Sequence, residues 1–144
     1  MTAITARADR QRRGVSKTRT YPVLTAVTIP QGALVAITSA GYATNATDSA
    51  SDLGVAGVAA ETVTNAGASG AVSIKVDCGM DMLLTASSIT QAMVGTLMFV
   101  VDNNTVDDAA GPTNDVPVGI LVEFVSTTSG WVFIPGDMKW ATHA

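Results

Sequence analysis

Along residues 71–78 the side chains alternate without a break. Val72, Ile74, Val76 and Cys78 fall on one side, and Ser73, Lys75 and Asp77 on the other. A period of two is the signature of a strand with one buried face, and no helix accommodates it. The segment just before it, Asn65-Ala66-Gly67-Ala68-Ser69-Gly70, is turn chemistry. Composition extends the inference to the rest of the chain. Its 22 Ala, 19 Thr and 18 Val against seven Leu supply the β-branched side chains that suit a pleated sheet.

Strands are expected at 20–29, 33–38, 53–64, 71–78, 96–101, 118–126 and 131–135, with Thr105-Val106 entered from an Asp102-Asn103-Asn104 turn. Pro30-Gln31-Gly32 separates the first two strands. Residues 39–52 and 107–115 read as polar loops. One short helix fits 85–93, capped by Ser87 or Ser88. The expected fold is therefore all-β, a small β-barrel or β-sandwich of antiparallel hairpins with at most one short helix, preceded by an extended N-terminal arm. Gly57-Val58-Ala59-Ala60-Glu61 and Gly119-Ile120-Leu121-Val122-Glu123 share one pattern 62 residues apart. Each is followed by a Gly-containing turn and a further strand, which suggests a duplicated β-unit.

Charge divides the chain into residues 1–19 and 20–144. The first segment holds Arg7, Arg10, Arg12, Arg13, Lys17 and Arg19 against Asp9 alone, six cations and one acid, for a formal +5. The second holds two cations, Lys75 and Lys139, against eleven acids, for −9. The arm has three readings: a nucleic-acid tail, a solvated tail, or a docking arm whose guanidinium forks pair with carboxylates and carbonyls of a neighbouring protein. The acidic body would repel phosphate, and no aromatic residues interleave with the cations, so the docking arm is preferred.

Catalytic chemistry is poorly supplied, and no enzyme activity is expected. The single histidine, His143, is next to last, and Cys78 sits on the apolar side of its strand. The chain has no nucleophile elbow, zinc-protease helix, phosphate loop or dinucleotide fingerprint. Asp102, Asp107, Asp108 and Asp115 lack the spacing and central Gly of a calcium loop, so neither metal nor cofactor is expected. No segment reaches the roughly 18 apolar residues that cross a bilayer. The Arg-studded start has no continuous apolar core for a secretory signal. A lone Cys fits synthesis in a reducing cytoplasm. Trp131 is assigned to the core, and Trp140, outside any expected strand, to a subunit interface.

Five segments together resemble the small capsid cement, or head decoration, proteins of tailed bacteriophages. They are Gly-Ala-Leu-Val-Ala-Ile at 32–37, the GVA strand and Gly-rich turn from Gly57, the alternating strand to Gly79, Gly95 with Phe99-Val-Val-Asp102, and VGILVE…WVFIPG at 118–136. The resemblance implies a β-rich virion protein on the outer capsid surface, a homotrimer binding adjacent major capsid proteins; residues 1–19 lie outside the shared pattern, and their charge makes them the expected anchor. The alternatives are a nucleic-acid-binding protein using the basic tail, or a phage fibre or tail component.

Overall fold

The structure is a computed structural model that describes residues 3–109 and 111–136. In chain order the strands are β1 (Arg12–Arg13), β2 (Lys17–Pro22), β3 (Val27–Ile29), β4 (Leu34–Thr38), β5 (Ala43–Asn45), β6 (Asp52–Ala59) and β7 (Val63–Asn65). There follow β8 (Ser73–Cys78), β9 (Met80–Ala86), β10 (Leu97–Val100), β11 (Thr105–Asp107), β12 (Pro117–Ser126) and β13 (Ser129–Ile134). The architecture is all-β, as the composition requires.

Strands β9, β13, β12, β10 and β11 form a closed five-stranded barrel, because β11 returns to pair in parallel with β9 through Thr105–Thr85 and Val106–Ala86. Strands β2, β8, β6, β4 and β5 form a second sheet in the same order. It curls until Val23, just beyond β2, bridges Ala43 of β5, also in parallel. The small β3–β7 pair belongs to this half, since Asn45 of β5 donates to the Thr28 carbonyl.

The two halves agree pair by pair. Val23–Ala43 becomes Ala86–Val106, and Arg19–Val76 becomes Met82–Val132. Leu34–Val58 becomes Leu97–Ile120, and Val58–Asp77 becomes Ile120–Phe133. Even the bulge recurs, between Val35 and Ala36 in the first half and between Met98 and Phe99 in the second. Gly32 and Gly95 enter the equivalent strands with φ of +93° and +91°. Register is set by which face each side chain buries, so this agreement marks one structural unit present twice. The five-residue similarity seen in the sequence starts at the end of β6, running two residues past it, and lies within β12, the third strand of each ladder.

Val35, Ile37, Ala56, Ala59, Ile74 and Val76 fill the curled N-terminal sheet, which the Val23–Ala43 bridge closes into a first barrel. The second cluster holds Met82, Leu84, Met98, Val118, Leu121 and Val132, and continues through Leu34, Ala36, Val55 and Val58 of β4 and β6. Strand β4 is thus buried on both faces, which is why Leu-Val-Ala-Ile runs apolar without alternation.

Several expectations are corrected. The helix expected at 85–93 is a single 3-10 turn, Gln91–Met93, whose preceding Thr90 makes no side-chain cap. Ser88, proposed as a cap, has φ +62°. No strand is expected at 80–86, yet Met80–Ala86 forms β9, with Met80, Met82, Leu84 and Ala86 all buried. The strand expected at 20–29 is two, β2 and β3, separated by a bend with Ala26 at φ +60°. The loop 39–52 contains β5.

Candidate functional site

The basic segment lies against its own body. Ile4 exchanges hydrogen bonds with Asn103, its N–H donating to Oδ1 (2.8 Å) and its carbonyl accepting from Nδ2 (3.0 Å), while its side chain packs on the first barrel's core. The Ala8 N–H then donates to the Gln31 carbonyl (2.8 Å). The Gln11 carbonyl accepts from the Leu83 N–H (3.0 Å), and β1 pairs antiparallel with β9 as Arg12–Met82 and Arg13–Asp81. An extended, polar chain suits this edge, since it needs only backbone partners and no apolar face of its own.

Three arginines fasten it. Arg10 donates through Nε to the Gly32 carbonyl of the first barrel and through Nη2 to Asn104 Oδ1 of the second, 2.6 Å away. Burial lowers its pKa, against the opposing pull of Asp102. Arginine starts so high that the group remains a cation. Arg12 Nη1 lies 2.8 Å from Asp77 Oδ2, while Thr18 Oγ1 donates to the other carboxylate oxygen at 2.8 Å. Arg13 reaches Glu123 at 3.0 Å and Asp81 at 3.8 Å, and its guanidinium carbon stands 3.9 Å from the centroid of the Trp131 ring. Arg10 and Arg12 each touch both barrels, so the segment is a strap across the seam between them.

The other candidates are placed differently. Arg7 pairs with Asp9 on the arm's own exposed surface. Lys17 and Arg19 belong to β2, with Arg19 Nη1 donating to the Gly136 carbonyl (3.2 Å). Residues 1–19 therefore do not end at a structural boundary, which falls within the loop 14–16. Trp131 is half-buried beneath Arg13, on the barrel's outer face, and Trp140 lies outside the described residues.

The strap's receptors, Asp77, Asp81, Glu123 and Asn103, escaped the sequence reading. Asp77 was expected on a solvent face and is 8% exposed because Arg12 covers it. Opposite net charges in one chain were the available signal.

Beside the strap opens a cleft of about 560 Å³ lined by Arg13, Gly14, Met80, Asp81, Val122 and Phe133. Val122 and Phe133 are exposed large apolar residues, as are Val125 on β12 and Val15 in the loop, the last at 92%. Among the described residues no group of three His, Cys, Asp or Glu stands close enough to hold a metal ion. No helix there is long and apolar enough to cross a membrane.

Asp107 has a raised pKa. Burial is the main cause, the Asp108 N–H opposes it, and the Asp108 charge adds to it. A carboxyl whose pKa rises on folding favours the folded state in acid and loses that contribution as pH climbs through the folded value. Asp107→Asn is therefore expected to raise the urea midpoint at neutral pH. The gain should vanish near about pH 3, where aspartate is protonated in both states. An equal gain at both pH values would contradict this account.

No family model matches the chain, and a search of curated proteins finds no match.

Proposed function

We propose that the chain is a non-enzymatic virion structural protein that decorates a bacteriophage capsid, binding adjacent major capsid proteins from outside as a homotrimer. The observation that carries this reading is that the segments carrying the resemblance, 32–37, 57–79, 95–102 and 118–136, supply β4, β8, β10, β13, the end of β6 and nearly all of β12 in the two repeated sheets. A shell clamp needs a rigid, catalytically plain body with surface to bury. Val122, Val125 and Phe133 on β12 and β13 supply apolar surface for such a contact.

The strap modifies the anchor idea. Arg10, Arg12, Arg13 and Arg19 are engaged within the chain, which leaves Arg7 and Lys17 as the arm's exposed cations for a capsid subunit. The same engagement weakens the nucleic-acid alternative.

The test is binding to purified, expanded, empty capsids. Full-length protein is expected to bind saturably and to raise the temperature at which the shells break. Absence of saturable binding would sink the cement reading. Steeply salt-dependent binding to any DNA duplex would favour the nucleic-acid reading instead. A chain beginning at Gly14 keeps β2 and asks whether the strap and Arg7 contribute; equal occupancy would assign the contact to Lys17 and the body.

A further inference from the structure

We propose that the outer edge of β2, at Thr18 and Thr20, is a docking site for an extended acidic segment of another protein, which joins the first barrel as an added strand. The argument rests on the internal repeat and does not depend on the capsid reading.

Strand β9 shows what this edge does in the second barrel. One side of β9 pairs with β13, and the other takes β1, with the Leu83 N–H donating to the Gln11 carbonyl. Leu83 stands opposite Trp131, and its equivalent Thr20 stands opposite Lys75. Because the two ladders share one register, the N–H of Thr20 faces away from β8 as that of Leu83 faces away from β13. Among the described residues no strand pairs with this side of β2, and Thr18 and Thr20 are both exposed. Among the described residues, the edge that binds an extended segment in one barrel thus carries no strand in the other.

Charge specifies the occupant. On β9 the edge is flanked by Asp81, and what it holds is Arg12–Arg13. At the equivalent positions β2 has Thr18 for Asp81, and Lys17 and Arg19 for Met80 and Met82. Lys75 lies directly across from Thr20 on β8. Every described cation outside the strap and Arg7 therefore gathers at this one edge. A second copy's β2 or basic strap would place like charges opposite one another, which is unfavourable. An extended segment with carboxylates at alternate positions gains both the backbone hydrogen bonds of strand addition and the opposite charge.

The probe is a capped peptide of four Thr-Glu repeats, with four Thr-Lys repeats as control, titrated into labelled full-length protein. Amide chemical shifts and hydrogen exchange are the readouts. The acidic peptide is expected to shift residues 17–22 and 73–78 and to slow exchange at Thr20, with no response to the lysine peptide. Thr20→Pro removes an N–H that the β8 ladder does not use, at an edge that tolerates proline; its affinity should fall at least about tenfold. Lys17→Glu with Lys75→Glu should reverse the preference between the peptides, and this pair decides the matter if the proline variant fails to fold. The proposal is overturned by no response to the acidic peptide at millimolar concentration, by shifts centred elsewhere, or by equal responses to both peptides. Protection of Thr20 that rises with protein concentration alone would also overturn it, by making a second copy the occupant.

Discussion

Gly119→Ala is expected to cost about 3 kcal/mol or more of folding stability, read as a fall in the urea midpoint or as failure to accumulate folded protein. A Cβ at Gly119 would stand 1.9 Å from the Phe133 carbonyl oxygen and 2.9 Å from its carbon. These are backbone atoms of the partner strand β13, so no rotamer change relieves the clash. The strands would have to part beside the Ile120–Phe133 pair, in the middle of the closed barrel. Gly57, its counterpart, makes the same prediction independently. A Cβ there would stand 2.2 Å from the Asp77 carbonyl oxygen, and φ of +152° already disfavours any side chain. Gly14→Ala is the control for a glycine with positive φ in open space; its φ of +88° carries strain without a clash, so its cost should be smaller, about 1 kcal/mol. Near-equal stability of Gly119→Ala and the unmodified chain would contradict the register described for β12 and β13.

Removing the strap is the second large effect. A chain starting at Gly14 is expected to lose about 3–5 kcal/mol, at roughly 1 kcal/mol for each backbone hydrogen bond and more for those to charged groups. Arg12 contributes through Asp77, which is nearly buried and, among the described residues, would keep the Thr18 side chain as partner once the guanidinium is gone. Arg12→Ala alone should cost about 2 kcal/mol, a figure held down by the 40% exposure of the arginine side chain. Adding Asp77→Asn to Arg12→Ala should recover part of the loss, since the unpaired charge is then absent. Salt should narrow the gap between the full chain and the truncated one, because Arg13–Glu123 is exposed and screened. A truncated chain as stable as the full one, at low salt, would mean that the strap does not hold the seam.

Local alternation identified β8 from sequence, and turn chemistry placed β4, β10, β12 and β13 to within a few residues. The class of fold followed from these. What escaped was decided by burial on two sides or by distant partners. β9 alternates Met80, Met82, Leu84 and Ala86 on one face, but two of these are methionines, which carry little strand preference. β5 and β11 are three residues each, too short for a period to show. The repeat was visible at only five positions because its other contacts are conserved as register: Met82 replaces Arg19 and Trp131 replaces Lys75 at matched places in the ladders. For the strap, the charges were evident and their destination was not, since Arg12 and Asp77 lie 65 positions apart.

The strap also imposes an order on assembly. Ile4 meets a partner 99 positions later, and Arg13 meets Glu123 110 positions later. During synthesis the strap emerges before the second barrel, so its contacts with Leu83, Asn103 and Glu123 must wait until nearly all of that barrel exists. Contacts so distant in sequence are slow to form, and an apolar segment left waiting would invite premature association. A basic, extended segment can wait in water while the first barrel closes, and its acidic receptors then draw it in after both barrels are built.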